Sequence, residues 1–381
     1  MKHRVWVEIN LETLTENYRR IVEHVRPVEV IAVLKANAYG LGVAPYARAL
    51  AAAGCRRFGV AEPFEALELQ RELAADGRDG TVQILSSVLP DEIAEMVAAD
   101  VVLPVTDFDS ARLISAAAVK AGKVARVHLK LDTGMGRLGV LADTPERGES
   151  AAETAAAVKA LPGLDLEGVF SHFPMAYDPI DPFTGEQIEL FRGFLAAAAA
   201  RGVGFRLAHI AASDAINNFP ECARAPFNAV RTGINLHGSF DPNGRRELQV
   251  EPVLSLKTRV AQVRELPAGK TLGYGRTWCL NRPTRVATIS AGYADGLPLA
   301  LTNRGKVIIG GRMCPVIGRI SMDYTTVDVS QVPDVKAGDE VICFGRAGEF
   351  SITPDDWAAI KGTHAYDIIC SLGDRVERVV S

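Results

Sequence analysis

Cysteine is scarce in this chain of 381 residues, and what there is lies scattered. Cys55, Cys222, Cys279, Cys314, Cys343 and Cys370 form no CxxC pair and no Cys/His couple at zinc spacing. A disulfide framework and a structural zinc are thereby disfavoured, no metal is expected, and free thiols point to a reducing compartment, the cytoplasm. Long runs of lysine and arginine are also missing, and 42 basic against 46 acidic residues leave a net charge of −4. Nucleic acid is bound through a basic face that displaces counterions, so no nucleic-acid partner is expected. No uninterrupted apolar stretch reaches the roughly 20 residues of a membrane span, which argues against a membrane protein. The alanine-rich segment 195–200 is short, flanked by Arg192 and Arg201, and reads as part of a soluble helix. The opening MKHRVWVEIN has neither the apolar centre nor the small-residue cleavage site of a secretory signal.

What is present is an ordinary globular composition, 48% hydrophobic and 23% charged. The length exceeds a usual single core, so two domains are expected. A short strand over 5–9 leads into Asn10, a good N-cap, and Leu11, Leu14, Tyr18, Ile21 and Val25 then recur at helical spacing. After Pro27, eight apolar strands are predicted near 29–34, 58–61, 82–85, 101–105, 124–131, 166–170, 207–211 and 229–236. Helical stretches separate most of them, as at 43–53, 63–75, 107–121, 145–160 and 185–201. Eight strand–helix units imply a parallel (β/α)8 barrel over 1–240, of the TIM type. A doubly wound open sheet is the alternative, but no G-x-G-x-x-G follows the first strand. Beyond the Asp241-Pro242-Asn243-Gly244 turn, strand-like segments punctuated by Gly, Pro and Asn predict a mostly β domain over 241–381, with the strand at 4–9 as a candidate to pack on it.

Catalytic groups in a barrel stand at the C-terminal ends of its strands. Lys35 ends the first, within VLKANAYG; Lys130 lies on the fifth, followed by LDTGMGR with Arg137; the sixth runs into Ser171-His172, the seventh into Ser213, and the eighth carries Arg231. Two lysines, two arginines and a histidine on one mouth suit a phosphate and a carboxylate together. Backbone N–H groups at Gly233-Ile234, with the hydroxyls of Tyr39 and Ser213, form a candidate phosphate cradle. A lysine that ends a strand is commonly a solvated flank. Lys35 instead follows an unbroken apolar run, and partial burial there would lower its pKa. His172 reads equally well as a satisfied core histidine, whereas a buried Arg231 demands acceptors.

AVLKANAYGLG at 32–42, KLDTGMGRLG at 130–139, SHF at 171–173, AVRTGINLHG at 229–238, LGYGRT at 272–277, ISAGYADG at 289–296 and GRISMDY at 318–324 together resemble the alanine racemase family, collinearly from about Trp6 onward. The resemblance implies a barrel that binds pyridoxal 5′-phosphate, a C-terminal β domain, and a head-to-tail homodimer with shared sites. Its activity is racemisation of L- and D-alanine, supplying D-alanine for peptidoglycan. By position, Lys35 is the Schiff-base lysine and one catalytic base. Tyr274 is the opposing base, supplied by the partner subunit. Arg137 and the backbone N–H of Met322, beside Asp323, meet the substrate carboxylate, with Tyr293 on the pocket wall. Tyr39, Ser213, Gly233, Ile234 and Tyr366 match the phosphate site, and His172 links Tyr274 to Arg231. Lys130 matches a lysine that is carbamylated in some members, where the carbamate orients Arg137. Arg231 faces the pyridine nitrogen; having only donors, it leaves that nitrogen unprotonated and the ring a weaker electron sink.

Three positions depart from the family pattern: Ser321 stands where Cys is common, Leu299 where Arg is common, and His364 where a small or β-branched residue is usual. Leu299 and His364 bear on substrate choice, so a serine-preferring or broad-specificity racemase is the first alternative. A PLP decarboxylase, a D-threonine aldolase and a non-catalytic PLP-binding barrel are more distant ones. The last lacks any use for Tyr274 and the whole β domain.

Overall fold

Eight short parallel strands form the first architectural unit, and the computed structural model describes residues 3–241 and 243–381. Pro242 of the expected inter-domain turn, and Met1 and Lys2, lie outside the described residues. The strands are Glu29–Val33, Arg57–Val60, Thr81–Ile84, Leu103–Val105, Ala125–Asp132, Leu164–Phe170, Leu207–His209 and Ala229–Thr232. They pair in two groups, the eighth with the first, second and third, and the fourth through the seventh.

Both seams between these groups are hydrogen-bonded. At one, Ile84 N–H donates to Val102 O at 3.0 Å and Val102 N–H to Val82 O at 2.9 Å. At the other, Asn228 N–H donates to Ala208 O at 3.1 Å and Arg231 N–H to Ala211 O at 3.0 Å. The ring is closed, which excludes the open doubly wound sheet. Closure works because each strand buries both faces, one against helices and one against the barrel interior. Gly168 makes the interior fit: a Cβ there would lie 2.6 Å from the His128 ring.

The second unit is built around Leu254–Leu266, a long strand that pairs antiparallel with Val5–Ile9, Thr284–Ile289 and Glu340–Ala347. Val5–Ile9 also pairs parallel with Glu377–Val380, so the N-terminal strand belongs to the sheet of the C-terminal half. Asn10 then caps helix Leu11–Val25, accepting from Thr13 N–H at 2.8 Å. The buried Asn17 of that helix ties the units together. Its amide donates to Leu236 O and Glu251 O and accepts from Glu251 N–H, on either side of the crossing between the two halves. Helix Ala365–Cys370, absent from the sequence reading, carries Tyr366 back to the barrel mouth.

Candidate active site

The mouth of the barrel encloses a cavity of about 430 Å³. Lys35, Tyr39, Lys130, Arg137 and His172 line it from the first, fifth and sixth units. Ser213, Arg231, Gly233 and Tyr366 complete it from the seventh and eighth and from the C-terminal half.

Lys35 owes its position to an unusual turn. Residues 36–39 all adopt left-handed backbone angles, with φ of 54°, 53°, 51° and 59° at Ala36, Asn37, Ala38 and Tyr39. Each costs roughly 1–2 kcal/mol for an L-residue, so neighbours must hold the turn. Glu65, buried in the first turn of helix Pro63–Ala75, accepts from Ala36 N–H, and Asn37 Oδ1 accepts from Val43 N–H at 2.7 Å. At the far end Arg378 Nε donates to Gly40 O at 2.9 Å. The turn leaves the Lys35 amine open to the cavity and tucks Tyr39 beneath it. Surrounding protein, and then the Arg137 guanidinium, lower the Lys35 pKa below that of an ordinary lysine. A fraction of free amine, the form a carbonyl accepts, follows.

Arg231 crosses the floor of the cavity. Among the described residues no carboxylate pairs with it; it donates to Ser171 O at 2.7 Å, Ile210 O at 2.9 Å and His209 O at 3.2 Å, and meets His209 Nδ1 at 2.6 Å and His172 Nδ1 at 3.3 Å. Burial pushes its pKa down to about 9. His172 is held well below the usual histidine range by burial and then by Arg231, so its ring is neutral. Lys130 is buried with its Nζ 4.7 Å from the Phe170 ring centroid, and burial, Arg231 and Arg137 bring its pKa down to about 7.

At the other side of the mouth, Gly233 N–H donates to Ser213 Oγ at 3.1 Å. A Cβ on Gly233 would lie 2.1 Å from the Tyr39 hydroxyl, so only glycine leaves this concavity open. The Tyr366 hydroxyl meets Ser213 and the Ile234 backbone, and burial pushes its pKa well up, keeping it a neutral donor. Such a nest of hydroxyl and backbone donors suits a phosphate.

Arg137 reaches the cavity from a loop wrapped around Asp132. That carboxylate accepts from Gly134 N–H at 2.9 Å, Gly136 N–H at 3.0 Å and Arg137 N–H at 3.0 Å. Burial pushes its pKa up, but these N–H groups outweigh it and leave the group below the usual carboxylate range. Asp132 and His209 were not singled out from the sequence; His209 ends the otherwise apolar strand Leu207–His209, whereas Asp132 ends a strand that already carries Arg126, His128 and Lys130.

The remaining expected residues stand apart from this cavity. Tyr274, Tyr293, Met322 and Asp323 are not among its lining residues. Tyr274 is 73% exposed on a three-residue turn of the C-terminal half, and Tyr293 and Met322 are 44% and 52% exposed. Among the described residues no three His, Cys, Asp or Glu side chains gather to hold a metal, and no helix is long and apolar enough to cross a membrane.

Two family models match almost the whole chain: "Alanine racemase, N-terminal domain" over residues 9–241 and "Alanine racemase, C-terminal domain" over 253–380. The chain belongs to the alanine racemase family. The alanine racemase of Desulforamulus reducens is 39% identical over 100% of this chain and 99% of its own length. The crystal structure of alanine racemase from a D-cycloserine-producing Streptomyces lavendulae superposes with a TM-score of 0.90 at 34% identity, covering 100% and 98% of the two chains. That of Bartonella henselae alanine racemase, solved with covalently bound pyridoxal phosphate, superposes at 0.86 with 28% identity and full coverage of both. Lys35, Arg137, Arg231, Tyr39, Ser213, Gly233 and Tyr366 line one cavity, while Ile234 is buried and not among its lining residues. Tyr274 lies on a separate, exposed surface of the C-terminal half.

Proposed function

We propose that this enzyme interconverts L- and D-alanine with pyridoxal 5′-phosphate, in a head-to-tail homodimer that builds each site from two chains. The observation that carries this is the separation just described. The cavity with the Lys35 amine at its mouth is lined by Tyr39 and Tyr366 at the phosphate cradle and by Tyr177, whose hydroxyl donates to Met175 Sδ at 3.2 Å, while the phenol of Tyr274 lies exposed outside it. Head-to-tail pairing brings Tyr274 of the partner subunit opposite Lys35 and covers the exposed surface that carries it.

The residues present fit the cofactor. The concavity that a Cβ on Gly233 would fill, with Ser213, Tyr39, Tyr366 and Ile234, would take the phosphate. Arg231, surrounded by backbone carbonyls and histidine nitrogens, would hold the ring nitrogen, and the Lys35 amine would hold the cofactor covalently. When bound, the cofactor draws electron density from the amino acid and makes its α-proton removable. Lys35 Nζ takes or returns that proton on one face, and the hydroxyl of Tyr274 of the partner subunit does so on the other. Two carriers are required because a proton returned to the face it left regenerates the starting enantiomer. Neutral His172 bridges that tyrosine to Arg231. Arg137 holds the substrate carboxylate, together with the backbone N–H of Met322 of the partner subunit beside Asp323, and Tyr293 bounds the side-chain space. Lys130, partly unprotonated at neutral pH, can add carbon dioxide with loss of one proton, and the carbamate then lies between Arg137 and Arg231. A cytoplasmic enzyme supplying D-alanine for peptidoglycan fits the six free cysteines.

Subunit mixing tests the reading. Lys35→Ala should abolish the absorbance of the lysine-bound cofactor, and Tyr274→Phe should keep it while losing most racemisation. Heterodimers of the two should regain activity, because one of their sites then has both carriers. Confirmed heterodimers without activity would sink the shared site.

One observation favours a wider substrate range. His364 packs edge-on against Tyr366, with ring centroids 5.5 Å apart, and Leu299 is 45% exposed. Turnover of L-alanine, L-serine and L-lysine, followed by chiral chromatography, decides between the two.

A further inference from the structure

The loop of Tyr293 and the loop of Met322 form one plate. Tyr293 N–H donates to Ser321 O at 3.0 Å and Ala294 N–H to Met322 O at 3.1 Å. Gly292 permits this approach, since a Cβ there would lie 2.2 Å from Ser321 O. Asp295 stiffens the first loop by accepting from Gly292 N–H at 2.9 Å and is itself 1% exposed.

Arg375, 80 residues from Asp295, spans both loops. Its Nε lies 2.7 Å from Asp295 Oδ1 and its Nη2 2.9 Å from Asp295 Oδ2, a two-point grip. Its Nη1 lies 2.7 Å from Asp323 Oδ1, and Nη2 also points at Met322 O at 3.4 Å. A planar guanidinium can hold two carboxylates in fixed relative orientation, which an ammonium on a flexible stem cannot. The Asp323 arm is half exposed on both partners, and pairs of that kind contribute little to stability. Its effect is placement.

We propose that Arg375 is a specificity-determining positioning residue. It fixes the Met322 backbone N–H and the Tyr293 ring as one rigid edge, and that edge sets how tightly the substrate carboxylate is held and how large a side chain fits beside it. The inference rests on the function proposed above, in which this edge closes the partner's cavity.

Arg375→Lys tests it, because lysine keeps a cation for the buried Asp295 but cannot bridge to Asp323. Hydrogen exchange of the 292–295 and 321–324 amides, read by mass spectrometry on the cofactor-free protein, should accelerate about tenfold or more as the plate loosens. In the loaded enzyme, KM for L-alanine should rise about tenfold with kcat within about threefold, the pattern of lost binding common to ground and transition states. The ratio of L-serine to L-alanine turnover should rise, and the cofactor absorbance should match wild type. Unchanged exchange together with wild-type KM would overturn the proposal, as would loss of kcat with KM unmoved. Should Arg375→Lys fail to fold, Asp323→Asn leaves the Asp295 grip intact and decides in the same way. A wild-type protein that racemises nothing would sink the function itself and is told apart at the first control.

Discussion

Nη1 of Arg231 lies 2.6 Å from Nδ1 of His209, and that contact dictates a tautomer. Arginine only donates, so Nδ1 accepts and the His209 proton sits on Nε2. Nε2 is 3.2 Å from Nδ1 of His128, which must accept in turn, and that places the His128 proton on Nε2, 3.5 Å from Glu167 Oε2. Glu167 is buried and paired with Arg57 at 2.7 Å and with Arg206. A polar column therefore runs from the mouth to the opposite end of the barrel. Burial and then Arg231 hold His209 well below the usual histidine range, and burial lowers His128 too, although the Glu167 carboxylate beside it pulls the other way.

His209→Leu removes the side-chain acceptor that lies 2.6 Å from Arg231. A hydrogen bond to a charged group is worth about 1.5–3 kcal/mol, so kcat for L-alanine should fall about 10- to 100-fold if that strength is expressed in the transition state. The Lys35-bound cofactor absorbance should persist. A kcat within about twofold of wild type would show that Arg231 needs no help from His209.

The pKa of about 7 at Lys130 makes a stability prediction with a definite sign. Its folded pKa lies below the unfolded value near 10.4, so between the two the unfolded chain binds more protons. In carbon-dioxide-free buffer, stability should rise as pH increases from about 7 to about 10 by up to a few kcal/mol, and the cost of burying the ammonium should be full below about 7. Lys130→Met should flatten that rise in urea titrations. Bicarbonate should flatten it too if Lys130 is carbamylated, with an added mass of one carbon dioxide in native mass spectrometry. A steep rise surviving in Lys130→Met would assign the dependence to another group.

Much of this fold was legible from the sequence because short, mostly apolar strands alternate with amphipathic helices. All eight barrel strands fall in those segments, and Lys35 could be found because it follows the apolar run 30–34. The left-handed turn that follows was not legible. Ala36, Asn37, Ala38 and Tyr39 include no glycine, and the contacts that hold them come from Glu65 and Arg378, the latter more than 300 residues away. Of the Arg231–His209–His128–Glu167 column, only Arg231 stands out in the sequence. The other three lie on three different strands, and only barrel closure shows that they face one another. Tyr274 is singled out by motif alone, and within one chain it lies outside the cavity that Lys35 lines.

Asp132→Asn tests how the loop of Arg137 is set. Both carboxylate oxygens accept backbone N–H groups, so an amide must turn a donor toward at least one of them. About 1–3 kcal/mol of stability should be lost, and KM for L-alanine should rise as Arg137 drifts. Thermal unfolding and steady-state kinetics check the two halves separately. Wild-type KM in a destabilised variant would show that Arg137 finds its place without this anchor.

Gly233→Ala asks whether the phosphate cradle limits cofactor binding. Its φ is not left-handed, so backbone strain is not the issue. The obstacle is space, because the new methyl would sit 2.1 Å from the Tyr39 hydroxyl. Tyr39 cannot retreat easily, being buried on the strained turn that also carries Lys35. The methyl should therefore displace the donors of the cradle and shift the turn, weakening cofactor affinity about 100-fold or more, equivalent to roughly 3 kcal/mol. Titrating the cofactor-free protein while following absorbance measures this directly, and Tyr39→Phe in the same background should restore part of the loss by removing the clashing oxygen. Wild-type affinity in Gly233→Ala would mean that the phosphate rests elsewhere in the mouth.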